Sequence, residues 1–293
     1  MSETLGFLGL GRMGAAVTAR MLAAGFDLAV WNRSRSDSFY ELVAAGASPV
    51  DSPREALAAP VSFSMLADDA AADQVLSAAN IGADGARIHV NMASVSAGMT
   101  STLEERFAAA GVRYVAAPVL GRPEVAAAGR LNVLVAGPSE ALDRVDPMLA
   151  ACSVRRWRMG DVPRQASAAK IAMNFMLLNA LESMGEGIAL VEGEGIAAAD
   201  FVELFTSTFF GGIVYETYGG IIAERRYAPA GFSLPLGLKD LGLAEAMARE
   251  SGVDVASARV LRDRFEAALS DETLADGDWA SIAEISRRPF VRD

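Results

Sequence analysis

The chain has 293 residues, enough for two domains of ordinary size or one large one, and its 52% hydrophobic and 22% charged residues describe a folded protein with a sizeable core. A formal net charge of −11, with no long basic run, repels a phosphate backbone and excludes nucleic acid as an expected partner. One cysteine, Cys152, and one histidine, His89, rule out an internal disulfide, a thiolate or multi-histidine metal site and a histidine-based triad, so no metal is expected.

The opening MSETLGFLGL lacks the charged start and cleavage site of a signal peptide, and no apolar run reaches membrane-spanning length. A cytoplasmic, soluble protein is the expectation, with no membrane partner. TLGFLGL reads as a strand, followed by the alanine-rich helix GRMGAAVTARMLAAG with Gly25 as its C-terminal cap. DLAVWNR, VSFSML, RIHVNM, VRYVAAPV and LNVLVAG continue the strands, with His89 as a core histidine in the fourth of the six. Strands alternating with helices predict parallel pairing with helices on both faces, a doubly wound α/β domain over residues 1–163.

After Gly160 the texture changes. Arg164 to Glu192 is apolar at helical spacing without a proline, and helical patterns follow at AAADFVELFTSTF, LKDLGLAEAMARESG and VASARVLRDRFEAALSD, with no strand signal between them. An all-helical domain over 164–293, joined to the first by a long interdomain helix, is predicted.

Gly9, Gly11 and Gly14 in GLGRMG, with Arg12 and Met13 between them, follow a strand and open a helix. The first glycine allows a tight turn, the second lets backbone approach a pyrophosphate, and the third lets the helix pack close. The second strand ends in Asn32, Arg33, Ser34 and Arg35, without the acidic residue that would accept from a ribose 2′-hydroxyl. Guanidinium and hydroxyl groups there suit a 2′-phosphate, so NADP(H) is the expected cofactor. Lys170 and Asn174, in ASAAKIAMNF, lie one turn apart on one helix face and can reach one small ligand together. The alternative for Lys170 is an ammonium snorkelling from a partly buried helix.

The ordered series GLGRMG, VWNRS, FSMLADD, NMASVS, APVLGRPEVAAAGRL, KIAMN and FSLPLGLKDLGLA resembles the β-hydroxyacid dehydrogenase family over nearly the whole chain. That family includes 3-hydroxyisobutyrate dehydrogenases and glyoxylate and succinic semialdehyde reductases, and is related to 6-phosphogluconate dehydrogenase and the imine reductases. The resemblance implies an N-terminal Rossmann domain and an all-helical C-terminal domain. It implies that Met65 and Leu66 pass the adenosine side of the cofactor and that Ser94 and Val95 lie beside the nicotinamide. Lys170 would be the catalytic lysine and Asn174 the substrate-orienting amide; Lys239 and Asp240 would close over cofactor and substrate, and Phe232 would line the cleft. An ammonium beside a carbonyl oxygen stabilises the charge that develops when hydride adds to the carbon, and can donate the proton.

One loop departs from the family pattern D-A-P-V-S-G-G. Residues 116–122 read A-A-P-V-L-G-R, so Leu120 replaces a serine, Gly121 is kept, and Arg122 replaces a glycine. An inward Arg122 would clamp a substrate carboxylate, whereas an outward one leaves a more apolar pocket suited to uncharged carbonyls or imines. The bulk at 122 also predicts a loop backbone different from the family's. The expected activity is NADPH-dependent reduction of a small aldehyde or ketone, of semialdehyde or 2-oxo acid type, with hydroxyacid oxidation as the reverse. The alternatives are reduction of cyclic imines, as an imine reductase or reductive aminase, and NADPH binding without turnover. The apolar helical half predicts a homodimer or homotetramer.

Overall fold

The structure is a computed structural model, described here for residues 3–82 and 87–288. The chain divides into two compact units, Met1–Ile171 and Ala172–Asp293. The division falls inside the long helix.

Unit one is built on a nine-stranded sheet: β1 (Leu5–Leu8), β2 (Leu28–Trp31), β3 (Ser48–Pro49), β4 (Val61–Ser64), β5 (Ile88–Asn91), β6 (Arg113–Ala116), β7 (Val119–Leu120), β8 (Leu131–Ala136) and β9 (Ser153–Gly160). The spatial order is β3-β2-β1-β4-β5-β6-β8-β7, with β9 also paired to β8. Strands β3 to β6 are mutually parallel, and the strand order reverses between β1 and β4, where a doubly wound sheet opens its ligand crevice.

The expectation of parallel pairing throughout is corrected at the far edge. The run VRYVAAPV is not one strand: Pro118 has no N–H for a ladder, and the chain breaks there into β6 and β7. Strand β8 is antiparallel to both, because the connection from Leu120 to Leu131 is shorter than a parallel crossover needs. Strand β9, parallel to β8, carries Arg155, Arg156 and Arg158 instead of an apolar run. Arg156 donates to both carboxylate oxygens of Asp146 at 2.9 and 3.0 Å and Arg158 pairs with Asp143, while Arg155 lies 3.5 Å over the Trp157 ring.

The two faces of the sheet differ in chemistry. One is apolar throughout, with Phe7, Val30, Phe63, Val90, Val115 and Val133 packed against Val17, Met21, Leu142 and Val145. On the other, Leu8, Leu57, Leu103, Phe107 and Leu134 surround a buried polar seam of Ser62, Ser64, His89, Asn91 and Tyr114. The glycine-loop helix, Arg12–Ala23, ends as predicted: Gly25 has φ +88° just past the cap.

The long helix spans Arg164–Gly193. In unit two its Leu178, Leu181, Met184 and Ile188 pack with Phe205, Tyr218, Leu234, Leu241, Leu261, Phe265 and Trp279 from the helices that follow. One of these, Ile213–Ala223, has no counterpart in the predicted series and carries the adjacent Gly219 and Gly220. A Cβ on Gly219 would lie 2.9 Å from the Val202 side chain, so the glycine permits close helix packing. Among the described residues no helix is long and apolar enough to cross a membrane, and no group of three His, Cys, Asp or Glu side chains could hold a metal ion.

Candidate active site

The glycine loop fits a dinucleotide. Gly9, at the end of β1, has φ +91°, and a Cβ there would sit 2.4 Å from the Met65 carbonyl oxygen. On Gly14 it would sit 1.9 Å from the Gly9 carbonyl oxygen, so the helix rests directly on the loop. Gly11 is the opposite case: a Cβ would meet nothing within 4 Å, and the residue caps the 12-residue helix without a side-chain bond or an acidic first turn. That open space before a positive helix end has room for an anion such as a pyrophosphate. Met65 and Leu66 both pack against Gly9, Arg12 is exposed and lies 3.8 Å from Glu124, and Met13 packs into the apolar face.

At the end of β2 the Asn32 amide is used within the protein. Its Oδ1 accepts from Leu10 N–H at 2.9 Å and its Nδ2 donates to the Ser34 carbonyl at 2.6 Å, bracing the loop against the glycine turn. The Trp31 carbonyl accepts from Gly9 N–H at 3.0 Å. Arg35 pairs with Asp51 at 2.7 Å, while Arg33 and Ser34 are exposed. Arg33 and Ser34 are therefore the groups that can meet a 2′-phosphate, with Asn32 shaping the loop that presents them.

The turn after β5 is held from both sides. Ala93 N–H donates to Asn91 Oδ1 at 3.0 Å, and Ser96 N–H donates to Asp69 Oδ1 at 2.8 Å. Ser96 Oγ accepts Met99 N–H and caps the helix Ala97–Ala109. Val95 is buried and Ser94 half-buried between these anchors. Because Asn91 Oδ1 must face an N–H, its Nδ2 donates to Tyr114 Oη, at 2.9 Å, and Ser64 Oγ donates to Oδ1, at 3.3 Å. Ser64 then accepts from His89 Nε2 at 3.0 Å, and Ser62 donates to Nδ1 at 2.8 Å. Burial lowers the His89 pKa to about 3, so the ring is neutral and its tautomer is set by its neighbours.

The first turns of the long helix join this region. Ala166 and Ala169 share one apolar cluster with Ala93, Val95 and the half-buried Leu120. Ser167 and Thr100 hydroxyls meet at 2.8 Å. Lys170, half-buried, follows one turn later and belongs to unit one. In the loop after β7, Gly121 has φ +141° and a Cβ would lie 2.7 Å from Leu131, so glycine is required. Arg122 is half-buried with its Nε shielded from solvent.

Unit two brings three of the remaining residues together. Asn174 Nδ2 donates to Asp240 Oδ2 at 2.5 Å, and Lys239 Nζ lies 3.2 Å from Asp240 Oδ1. Asn174 and Asp240 are both buried, a carboxylate thus fixing an amide. Phe232 packs against Trp279 at 4.5 Å between centroids, just before the helix Leu234–Ser251 that carries the other two.

Residues 4–160 match the NAD-binding domain of 6-phosphogluconate dehydrogenase, and residues 165–285 match the NAD-binding domain of NADP-dependent 3-hydroxyisobutyrate dehydrogenase. An uncharacterized oxidoreductase of Bacillus subtilis is 37% identical over 283 residues, covering 94% of this chain and 96% of that protein. The chain belongs to the β-hydroxyacid dehydrogenase family. Glyoxylate/succinic semialdehyde reductase 1 of Arabidopsis thaliana is 29% identical, with 96% and 97% of the two chains covered. The 3-hydroxyisobutyrate dehydrogenase of Mycobacterium tuberculosis, solved with L-serine, superposes with a TM-score of 0.88 at 25% identity, over 98% of this chain and all of that one.

As a β-hydroxyacid dehydrogenase the protein is an NADP-dependent oxidoreductase, in keeping with the loop that ends in Arg33 and Ser34. In this family setting the residues that sequence reasoning passed over are Asp69, Asn91 and the Thr100–Ser167 pair. The doubled aspartate after FSML, at a helix start, carries a capping signal for Asp68, whose carboxylate accepts Ala71 N–H at 2.8 Å. Nothing local marks Asp69 or the hydroxyl pair, because their partners are 27 and 67 residues away.

Proposed function

We propose that this β-hydroxyacid dehydrogenase reduces the carbonyl of a small aldehyde or ketone, of semialdehyde or 2-oxo acid type, with Lys170 as general acid. The observation that carries this reading is that the helix turn bearing Lys170 lies in the same compact unit as the turn assigned to the nicotinamide, with Ala166, Ala169 and Val95 in one cluster. Bound NADPH supplies the hydride. The Lys170 ammonium stabilises the oxygen and donates its proton, and as the free amine serves as base in the reverse direction. Asn174, its amide fixed by Asp240, orients the substrate, and Lys239 balances the buried carboxylate.

The shielded Nε of Arg122 supports a guanidinium held against the protein, and thus a carboxylate clamp in place of the serine that Leu120 displaces. Relatives that act on glyoxylate and succinic semialdehyde support a small acid. Cyclic-imine reduction is the second reading, favoured by Leu120, whose packing among alanines and valine makes that wall apolar. The test is NADPH oxidation with succinic semialdehyde, glyoxylate, a larger 2-oxo acid and 1-pyrroline, using wild type and Lys170→Ala. The expected result is turnover on a carbonyl acid that falls by two to four orders of magnitude in the variant, about the worth of a general acid. Full turnover of Lys170→Ala on every carbonyl would overturn the assignment, and turnover confined to the imine would favour the second reading.

A homodimer through unit two is part of the proposal. Met173, Met176 and Leu190 are 41%, 66% and 75% exposed along one stripe of the long helix, with the smaller Ala180 and Ser183 between them. An apolar stripe of that length is stabilised by a second copy. Light scattering should return twice the chain mass, and Met176→Glu should shift it toward the monomer.

A further inference from the structure

We infer that the buried hydroxyl pair Thr100–Ser167 is a positioning device that sets the register between the turn Ala93–Ser96 and the helix turn bearing Lys170. The inference rests on the reading of Lys170 as the acid. Thr100 is fully buried and Ser167 nearly so, and their oxygens lie 2.8 Å apart. Thr100 donates its one hydroxyl proton to the Ser96 carbonyl at 3.0 Å, so Ser167 is the donor to Thr100. Ser96 is itself fixed through its N–H to Asp69 at 2.8 Å. A continuous hydrogen-bonded line therefore runs from the helix, one turn before Lys170, to the residue that follows Ser94 and Val95.

Packing alone would not supply this register. Val95, Leu103 and Ala166, from the same turn and the two helices, belong to one apolar cluster, and two apolar side chains of similar size at 100 and 167 would avoid desolvating hydroxyls. Alanine contacts such as those of Ala166 and Ala169 are non-directional and tolerate sliding along the helix axis. One residue of slip is about 1.5 Å, and a misplacement of about 1 Å at a reacting group costs on the order of 100-fold in rate. Directional bonds between buried groups remove that freedom.

The experiment compares Ser167→Ala, Thr100→Val and the conservative Thr100→Ser, each alone and with Lys170→Ala, on the carbonyl that wild type turns over best among the three named above. The first two should lower kcat roughly 10- to 100-fold while NADPH affinity, read by fluorescence titration, stays within about twofold; Thr100→Ser should recover most of the rate. In the Lys170→Ala background Ser167→Ala should have no further effect, because a positioning residue acts only through the group it positions. Unchanged kcat, or a loss that persists undiminished without Lys170, would overturn the inference. Hydrogen exchange supplies a readout independent of turnover. NADP+ should protect the amides of both 92–96 and 164–171 in wild type, but only those of 92–96 in Ser167→Ala. Equal protection of both segments in the variant would sink the positioning role even if Lys170 proved not to be the acid, whereas an active Lys170→Ala would sink the functional reading alone.

Discussion

The two faces of the unit-one sheet are equally buried but held by different physics. On the Phe7–Phe63 face the side chains contribute volume and little direction, and helices pack on it as on any apolar layer. On the His89 face the same strands present Ser62, Ser64 and Asn91, whose bonds run across β4 and β5 through His89 and end, through Asn91 Oδ1, on Ala93 N–H in the turn at residues 92–96. The start of the long helix belongs to that second face, through Ala166. One face stabilises the sheet, while the other also orients the groups at its carboxyl edge.

Truncation on the apolar face should act on stability alone. Phe63→Ala should cost about 3–5 kcal/mol in denaturant unfolding, yet leave the NADPH affinity of the remaining folded protein nearly unchanged. Asn91→Ala should also destabilise, by about 1–3 kcal/mol for each buried group left without its partner among Ala93 N–H, the Ser64 hydroxyl and Tyr114. It should also weaken NADPH binding measurably, since the turn loses one anchor; equal loss of affinity in both variants would erase the distinction between the faces.

A smaller effect should appear with pH. His89 has a folded-state pKa of about 3 against 6.5 for an unperturbed ring, so between these values the unfolded chain takes up a proton that the folded one refuses. Stability is complete above pH 6.5 and should fall by about 1.4 kcal/mol per unit below it. Urea unfolding at pH 7 and 5 should show wild type losing about 2 kcal/mol more than His89→Asn. Equal losses in both would mean that the seam binds the proton without strain.

The same contrast explains what was legible in the sequence. The strands of the apolar core and the 30-residue helix follow from composition and period, and GLGRMG follows from its place between strand and helix. Strand β9 was hidden because its outward residues are arginines paired to a neighbouring helix, and β7 because nothing but Pro118 interrupts VRYVAAPV. At the candidate site the residue types were readable but some partners were not. Asn32 reads as a cofactor contact from its position, whereas its amide is taken up by Leu10 and Ser34. The Ser167–Thr100 bond joins two common residue types across 67 positions, which no local pattern encodes.

Trp31, whose carbonyl secures Gly9, is one of three tryptophans, and the other two lie far from it in character: Trp157 on the exposed edge strand and Trp279 in the helical core. Its half-buried indole ends the strand leading into Asn32, Arg33 and Ser34. Since indole emission overlaps the absorption of a reduced nicotinamide, the molecule carries its own optical gauge of cofactor occupancy, and replacing Trp157 and Trp279 with phenylalanine would leave that gauge reading a single site.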